Sequence, residues 1–265
     1  MESKTPETKE LINLLDKKSK LVAMLAPSFP IDFKYPEIVG MLKRLGFKYV
    51  VEVARGAIET NRQLATLLKL HPHKKYIANP CPTIVRLIRN KYPKLIPFLT
   101  PIDSPMVATA KIVAKKYPNY KKVFIGPCIV KKLEAKEDYP KLDILVLTYK
   151  ELKKIFEIKN IIPEKSDKPH FFDITGEQAR LYSVSGGLAQ SSCLNKNLTD
   201  PEYDVVSGPQ IVQKAIENFP TEINLKILDI LSCSGGCING PGIASKDSLG
   251  IKRQRIIAYW KNHSK

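Results

Sequence analysis

The stretch LSCSGGCINGPG, residues 231–242, decides the fold and the chemistry of this chain. It carries Cys233 and Cys237, which are four residues apart and surrounded by glycines. The apolar-rich segment 225–231 before them has the length of a buried strand, so the pair follows a strand on a flexible loop. Glycine permits positive φ and removes side-chain bulk, which a backbone needs when its thiolates must close on a metal cluster. Alone, the stretch is equally compatible with a glycine-rich turn that holds two buried thiols.

The length and the apolar pattern limit the classes of protein to consider. The 265 residues suffice for one large domain or two small lobes with a real core. No apolar run reaches the roughly 18 residues of a membrane helix, so we expect no membrane span. Residues 1–20 are polar and mixed in charge, unlike a secretory signal, and we interpret them as a polar N-terminal extension. The predicted location is the cytoplasm.

The chain is strongly basic, with 43 Lys and Arg against 26 Asp and Glu and a net charge of +17. A lysine-rich, solvated surface explains this excess without any function. The functional explanation is an acidic partner, such as nucleic acid, an anionic membrane or a small acidic protein. Because the basic residues are scattered and form no RNP, zinc-finger or basic-region pattern, we expect no nucleic acid partner.

The five cysteines favour free or metal-bound thiols over disulfides. An odd number of cysteines without a secretion signal argues against a disulfide framework. Cys81, Cys128 and the Cys233/Cys237 pair each follow a predicted strand. Strands and helices alternate along the whole chain, which predicts an α/β fold with mainly parallel sheets flanked by helices. Sites in open parallel sheets gather at the carboxyl ends of strands, so these cysteines are expected to converge.

Four thiolates suit either a tetrahedral zinc ion or a cubane iron–sulfur cluster. Structural zinc usually takes its ligands in two tight pairs, and only one pair is tight here. Catalytic zinc favours histidine, and the chain has four, of which His71 and His73 flank a proline in a lysine-rich turn. The residues therefore favour an iron–sulfur cluster and leave zinc as the alternative.

Three cysteine segments resemble, in order, the signature motifs of the [FeFe]-hydrogenase catalytic domain, which holds the H-cluster. NPCP at 79–82 with the helical segment 83–89 is similar to the first motif. GPCIVKKLE at 126–134 is similar to the second, including the lysine three residues after the cysteine. CSGGCING at 233–240 is similar to the third. The resemblance covers about residues 21–242, and it implies two α/β lobes with the cluster in the cleft between them.

The resemblance also implies roles for individual residues. The ligands of a [4Fe–4S] cubane would be Cys81, Cys128, Cys233 and Cys237. Of these, Cys237 would also bridge to a two-iron subsite that carries CO, cyanide and azadithiolate. Lys131 would hydrogen-bond one cyanide, and both Lys131 and Cys237 count as catalytic residues. The remaining residues that would line or contact this subsite are Ala26, Pro27, Ser28, Ser104, Pro105, Met106 and Tyr182. Cys193 matches no ligand position and is interpreted as a buried helix thiol.

The chain departs from the family where protons are usually relayed. Pro80 stands in place of a relay cysteine, and Leu64 and Leu67 stand in place of glutamates. Because proline and leucine cannot exchange protons, a different route through Thr100, Glu134 or water is expected. The chain also lacks a ferredoxin-like segment with extra cysteines. Electrons would then come from an acidic ferredoxin, which a basic surface attracts.

These observations lead to one function with two alternatives. The first is a minimal [FeFe] hydrogenase that interconverts protons plus electrons and H2, with maturation enzymes installing the two-iron subsite. The second is an H-cluster-binding hydrogen or redox sensor with little turnover, which Pro80 favours. The third is a non-catalytic [4Fe–4S] protein of the hydrogenase-like cluster-assembly type, which Lys131 disfavours. In each case we expect a domain over residues 21–265, with lobe one at about 21–120 plus the C-terminal tail and lobe two at about 121–220.

Overall fold

A computed structural model describes residues 5–192, 194 and 198–263. In this part of the chain all paired strands are parallel and form two sheets, so the predicted α/β fold class is confirmed. Cys193 lies outside the described residues. No helix in the described ranges combines the length and the apolar character that a bilayer crossing requires.

The first sheet has β1 and β4 at its centre. Its strands, in order across the sheet, are β2 (Tyr49–Glu52), β1 (Leu21–Leu25), β4 (Lys121–Gly126) and β5 (Ile144–Thr148). All five residues of β1 are buried, which explains why this strand is a continuous apolar run. The chain moves from β1 to one side of the sheet at β2 and later returns on the other side at β4. In open parallel sheets, such a switch point opens a crevice beyond the carboxyl ends of the strands.

The second sheet places β7 between its two neighbours. Its strands, in order, are β3 (Tyr76–Ile77), β7 (Ile227–Leu231) and β6 (Tyr203–Ser207). Tyr76 pairs with Ile227, so the chain leaves β3 and β7 at the same edge of the sheet. The predicted first and third cysteine motifs begin just beyond these two strand ends.

Helices flank both sheets. They are α1 (Pro6–Asp16), α2 (Glu37–Leu45), α3 (Ala54–Leu70), α4 (Pro82–Lys91), α5 (Pro105–Lys116), α6 (Lys131–Leu133), α7 (Tyr149–Ile158), α8 (Gly187–Ser191), α9 (Pro209–Asn218) and α10 (Leu249–His263). Ser104 caps α5 with Pro105 in the first turn, a favourable combination for a helix start. Thr148 caps α7 through a capping box with Glu151. A π-turn over Glu134–Asp138 continues α6.

Three apolar cores meet around β7 and the end of the first sheet. The first core surrounds the first sheet, the second lies between β7, α4 and α9, and the third lies between β7, α3 and the turn Glu177–Ser183. Successive residues of a strand face opposite sides, so Leu228 belongs to the second core and Ile227 to the third. The carboxyl end of β7 therefore lies where the cores converge.

The sheets do not follow the predicted division into lobes near residue 120. Strands β4 and β5 join β1 and β2 in the first sheet, and β3 joins β6 and β7 in the second. The chain therefore crosses between the sheets more than once. Parallel pairing permits this, because the long crossover connection that parallel strands require can lead to a strand of either sheet.

Two predicted peripheral segments are integrated into the fold. The N-terminal extension contains α1, whose Leu11 is fully buried in the first core. The segment 157–180 is charged and contains prolines, which is typical of a surface loop. It buries Asp167, which accepts two hydrogen bonds from the guanidinium of Arg44. Within the same segment, Ile174 forms an isolated parallel bridge with Val51. Most of this segment is exposed loop, as its composition suggests, and Asp167 anchors it to α2.

The C-terminal tail forms α10, which a buried ionic network holds in place. The carboxylate of Glu52 accepts hydrogen bonds from Tyr259 Oη at 2.6 Å and from Arg180 Nε at 2.8 Å. The Arg180 guanidinium also lies over the Tyr259 ring, 4.9 Å from its centroid. Glu52 and Arg180 are 2 % and 3 % exposed. The network joins the end of β2, the turn Glu177–Ser183 and α10, and so fixes the elements that surround the cleft.

Candidate metal centre

Each cysteine motif begins where a parallel strand ends. Cys81 follows β3 and is the N-cap residue of α4. Cys128 follows β4, and the Cys233/Cys237 loop follows β7. Cys81 is buried, and the other three are partly buried.

The four thiols lie close enough to influence one another electrostatically. Burial, together with the neighbouring Cys81 and Cys128, raises the pKa of Cys233 to about 11. Burial also raises the pKa of Cys237 well above its usual value, with added contributions from all three other cysteines. The sequence motifs, which are up to about 150 residues apart along the chain, therefore meet in one place.

Glycines allow the third cysteine loop to pack on the second. Gly242 donates its N–H to the carbonyl of Pro127 at 2.8 Å, and a Cβ at Gly242 would lie 2.8 Å from that oxygen. Gly236 has φ of +103°, and a Cβ there would lie 2.6 Å from Ser183 O. A side chain at Gly242 would push the third loop away from the Cys128 loop, and one at Gly236 would push it away from residues 183–185, so the two glycines fix the loop on both sides.

A cavity of about 70 Å³ opens beside Cys128 and Cys237. Its lining residues are Ala26, Pro27, Ser28, Val53, Pro80, Pro105, Met106, Phe124, Pro127, Cys128, Lys131, Tyr182, Ser183, Leu231 and Cys237. These residues follow strands of both sheets, so the cavity lies in the crevice expected from the topology. Most of the wall is apolar, and water is therefore poorly held inside it.

Most residues that the sequence predicts around the two-iron subsite lie on this wall. The exception is Ser104, which does not line the cavity and contacts Lys131. Cys81 and Cys233, predicted as ligands of the cubane alone, do not line the cavity either. Their roles as ligands and contacts remain predictions. Pro80 lies on the wall, and Leu64 is fully buried in the third core. Neither side chain has a titratable group, so neither can relay a proton. The Thr100 hydroxyl donates a hydrogen bond to Asn79 Oδ1 at 2.9 Å, and Thr100 does not line the cavity.

Lys131 places a buried cation on the cavity wall. Its ammonium donates to Ser104 Oγ at 3.0 Å and to the carbonyl of Pro80 at 3.3 Å. Glu134 Oε2 lies 2.5 Å from the same nitrogen, as an ion pair rather than a well-directed hydrogen bond. The lysine is 8 % exposed, so its charge acts in a medium of low polarity.

Tyr149 is a site residue that the sequence reasoning missed. It is fully buried, and its hydroxyl donates to the carbonyl of Ala26 at 2.9 Å. Since the phenol has one hydrogen, the Ser28 hydroxyl must be the donor in the 2.9 Å bond between Ser28 Oγ and Tyr149 Oη. Burial keeps the pKa of Tyr149 well above its usual value, although the bond from Ser28 lowers it. The only signal in the sequence was a tyrosine directly after a helix N-cap.

The comparison with protein families agrees with this geometry. The sequence model described as "Iron only hydrogenase large subunit, C-terminal domain" matches residues 19–241. The chain belongs to this family. The resemblance that the motifs indicate is thereby confirmed, and the protein is a hydrogenase-like domain of an iron–sulfur-binding family.

Relatives of this hydrogenase-like domain include two kinds of protein. Iron hydrogenase 1 of Clostridium pasteurianum is 25 % identical over 83 % of this chain and 48 % of its own length. The cytosolic Fe-S cluster assembly factor NAR1 of Kluyveromyces lactis is 28 % identical over 84 % of this chain and 65 % of its own length. The chain thus spans about half to two thirds of these relatives.

Solved structures show the same fold for the hydrogenase-like domain. A variant of the [FeFe]-hydrogenase HydA1 from Chlamydomonas reinhardtii aligns with a TM-score of 0.70 at 19 % identity. The alignment covers 96 % of this chain and 88 % of that one. At this identity the likeness supports the arrangement of strands and helices alone.

The thiols of the hydrogenase-like domain that come together at the strand ends are the kind of donor that a [4Fe–4S] cubane requires. The described residues contain no group of three or more His, Cys, Asp or Glu side chains arranged for one metal ion. A cubane spaces its four cysteine sulfurs more widely than one ion does, because each sulfur binds a different iron. Zinc, the alternative from the sequence, therefore finds no support in this geometry.

Proposed function

We propose that the chain is a minimal [FeFe] hydrogenase that exchanges electrons with a ferredoxin. One observation carries the proposal: thiols from three distant motifs meet beside a mainly apolar cavity that has a buried lysine on its wall. Cys81, Cys128, Cys233 and Cys237 would hold a [4Fe–4S] cubane. When bound, the complete H-cluster would supply electrons and the metal site at which protons and H2 interconvert.

The residues on the wall would bind and orient the cyanide and CO ligands of a two-iron subsite. Cys237 is both a cysteine of the proposed cubane and part of the wall, which suits a bridging thiolate. The ammonium of Lys131 would hydrogen-bond an anionic cyanide, and the low polarity of the cavity strengthens this contact. Pro27, Pro105 and Met106 would exclude water from the same space.

Ser28 is the proposed contact for the second cyanide, and Tyr149 positions it. Because the Ser28 hydroxyl donates to Tyr149, its hydrogen must turn towards the cavity before it can bond an anion there. Tyr149 also holds the carbonyl of Ala26 and thereby the loop after β1. The tyrosine is therefore a positioning residue for this side of the cavity.

The net charge of +17 supports an acidic ferredoxin as the electron partner. Attraction between opposite charges accelerates encounter at low salt and is screened at high salt. Electron transfer from a ferredoxin should therefore slow as ionic strength rises. A rate that does not change with salt would refute electrostatic docking and leave the cluster assignment intact.

A second candidate is a non-catalytic iron–sulfur protein of the cluster-assembly type. The match to the assembly factor of Kluyveromyces lactis supports it, as does the Lys131–Glu134 ion pair, which gives the lysine a partner within the protein. A sensor with little turnover is the third candidate, supported by Pro80 on the wall.

Infrared spectroscopy separates these candidates. The protein is reconstituted with iron and sulfide and then with a synthetic two-iron complex, and its CO and cyanide bands are recorded. A hydrogenase or a sensor shows the CO and cyanide bands of a bound two-iron subsite. An assembly-type protein shows the visible absorption of the cubane without these bands. An H2 assay then separates enzyme from sensor. Cys237→Ala should abolish the bands and Cys193→Ala should leave them unchanged; the opposite result would contradict the ligand assignment.

A further inference from the structure

Three buried polar atoms near the cavity have no hydrogen-bond partner among the described residues. They are Tyr182 Oη, Ser183 Oγ and Asp229 Oδ2. Their residues are 8 %, 5 % and 2 % exposed. Buried polar atoms are nearly always bonded to protein or to ordered water, so a cluster of such atoms in one region indicates a polar path.

Asp229 is an acid in the middle of the otherwise apolar strand β7. It shares a strand face with Ile227 and so points to the third core, between α3, α8 and the turn Glu177–Ser183. Its carboxylate accepts one hydrogen bond, from the backbone N–H of Ala189. Its Oδ2 remains available to exchange a proton.

Tyr182 lies between the cavity and Asp229. Its side chain belongs to the third core and also lines the cavity. Burial raises the pKa of Tyr182 well above its usual value, and the charges of Asp229 and Cys237 raise it further. The phenol is thus close enough to interact with the acid on one side and with the cysteine centre on the other.

A second polar pair continues from this region towards the surface. Asn61 lies on α3 and is 8 % exposed. Its Nδ2 donates to Ser191 Oγ at 2.9 Å, and its Oδ1 has no partner within the described ranges. Ser191 is the last residue of α8 and is partly exposed. The hydrogen bond between these two side chains links α3 to α8.

We propose that Tyr182 and Asp229 carry protons between the cavity and the α3–α8 surface, with Asn61 and Ser191 at the outer end. This inference rests on the proposed function, since a reaction that consumes or releases protons needs such a path. In the inward direction, the Asp229 carboxyl gives its proton to Tyr182 Oη through a bridging water, because neither atom has a direct partner among the described residues, while the phenol proton moves on to an acceptor in the cavity. The tyrosine is neutral before and after, and the acid is recharged from the surface.

The chemistry of the wall favours this route over others. Among the described lining residues, the titratable groups are Tyr182, Lys131 and the two cysteines, and Lys131 is paired with Glu134. Burial raises the pKa of Asp229 to about 7, while the Ala189 N–H opposes that change. A group whose pKa is near the working pH exchanges protons in both directions with least cost.

The test compares Asp229→Asn and Tyr182→Phe with the control Asp204→Asn, an exposed acid on neighbouring β6. All variants are reconstituted, and the infrared bands and the reduced-cluster EPR signal are recorded beside H2 production. We expect both path variants to keep the bands and the EPR signal, which report cluster binding and electron supply. Their H2 production should fall by roughly a hundredfold or more, the usual loss when a proton-transfer group is removed. The control should match the wild type.

A readout independent of turnover is the infrared carboxylic-acid band of Asp229. The wild type should lose this band as pH rises through about 7, and Asp229→Asn should lack it at every pH. Wild-type H2 production in Asp229→Asn, or a band that persists in that variant, would overturn the path. If the wild type keeps its CO and cyanide bands yet produces no H2, the proposed enzyme function is refuted, and the proton path, which depends on that function, is refuted as well.

Discussion

Lys131 Nζ lies 2.5 Å from Glu134 Oε2, three residues along the same helical segment, and the two residues are 8 % and 6 % exposed. A buried cation on the wall of the cavity is thus balanced within the protein. The pair lies where α6 passes into a π-turn, a feature that often marks functional sites. It holds the lysine in place on the cavity wall, and it makes the lysine dependent on one carboxylate.

Replacing Glu134 with Gln should therefore destabilise the fold, because the Lys131 charge would remain buried without compensation. Removal of one partner of a buried ion pair typically costs about 3 to 5 kcal/mol. Urea unfolding followed by circular dichroism measures this loss. The matched control is Glu137→Gln in the same segment, whose side chain is 52 % exposed and pairs with Arg86. The control should lose less than about 1 kcal/mol, and equal losses in the two variants would contradict the argument.

Tyr149→Phe should loosen the loop after β1. The change removes the hydroxyl that holds Ala26 O and accepts from Ser28, and it leaves both groups buried without this partner. A loss of about 1 to 3 kcal/mol in unfolding free energy follows. Tyr120→Phe is the control, because the Tyr120 hydroxyl makes no such bond in the described part of the chain. If the two variants are equally stable, Tyr149 does not position this loop.

Gly236→Ala should prevent cluster binding. A Cβ at this position would lie 2.6 Å from both Ser183 O and Ser185 N, and the backbone φ of +103° disfavours any other residue. The loop would have to move and take Cys237 with it. Iron content after reconstitution measures the effect. Gly250→Ala is the control, since a Cβ there meets nothing closer than 4.0 Å, and iron loss in both variants would contradict the packing argument.

The sequence predicted the fold class and the cysteine motifs because both depend on local patterns. Apolar runs such as β1 and β7 are visible in the chain, and each cysteine motif directly follows one. The division into sheets was not predictable in the same way. Whether β3 pairs with β2 or with β7 depends on contacts between distant residues, and no local pattern records that choice.

The missed site residues share a physical reason. Asp229 is one acid within an apolar strand, and Tyr149 is one tyrosine after a helix cap, so neither forms a motif. Their importance comes from distant parts of the fold, since Asp229 acts electrostatically on Tyr182 and Tyr149 is hydrogen-bonded to Ser28. The same limit applies to Asp167 in the exposed segment 157–180, because only the fold shows that it is buried against Arg44.

The contribution of Asp229 to stability should fall as pH rises from about 4 to about 7, because Asp229 holds its proton more tightly when folded. Burial raises its pKa from 3.8 to about 7, so in this range the folded state binds more protons than the unfolded state. The contribution is fully present below the unfolded pKa and is lost as pH passes the folded one. At about 1.4 kcal/mol for each pKa unit, it is on the order of 4 kcal/mol.

Urea unfolding between pH 4 and pH 8 measures this dependence. Asp229→Asn should flatten the decline, since the amide does not titrate, whereas Asp204→Asn should retain it because Asp204 is exposed. Acid-induced loss of other carboxylate contacts acts in the opposite direction and is common to all three proteins, so the difference between variants isolates Asp229. A wild-type curve that parallels the Asp229→Asn curve would show that the folded carboxyl is ionised throughout this range, and Asp229 could then not serve as a proton carrier near neutral pH.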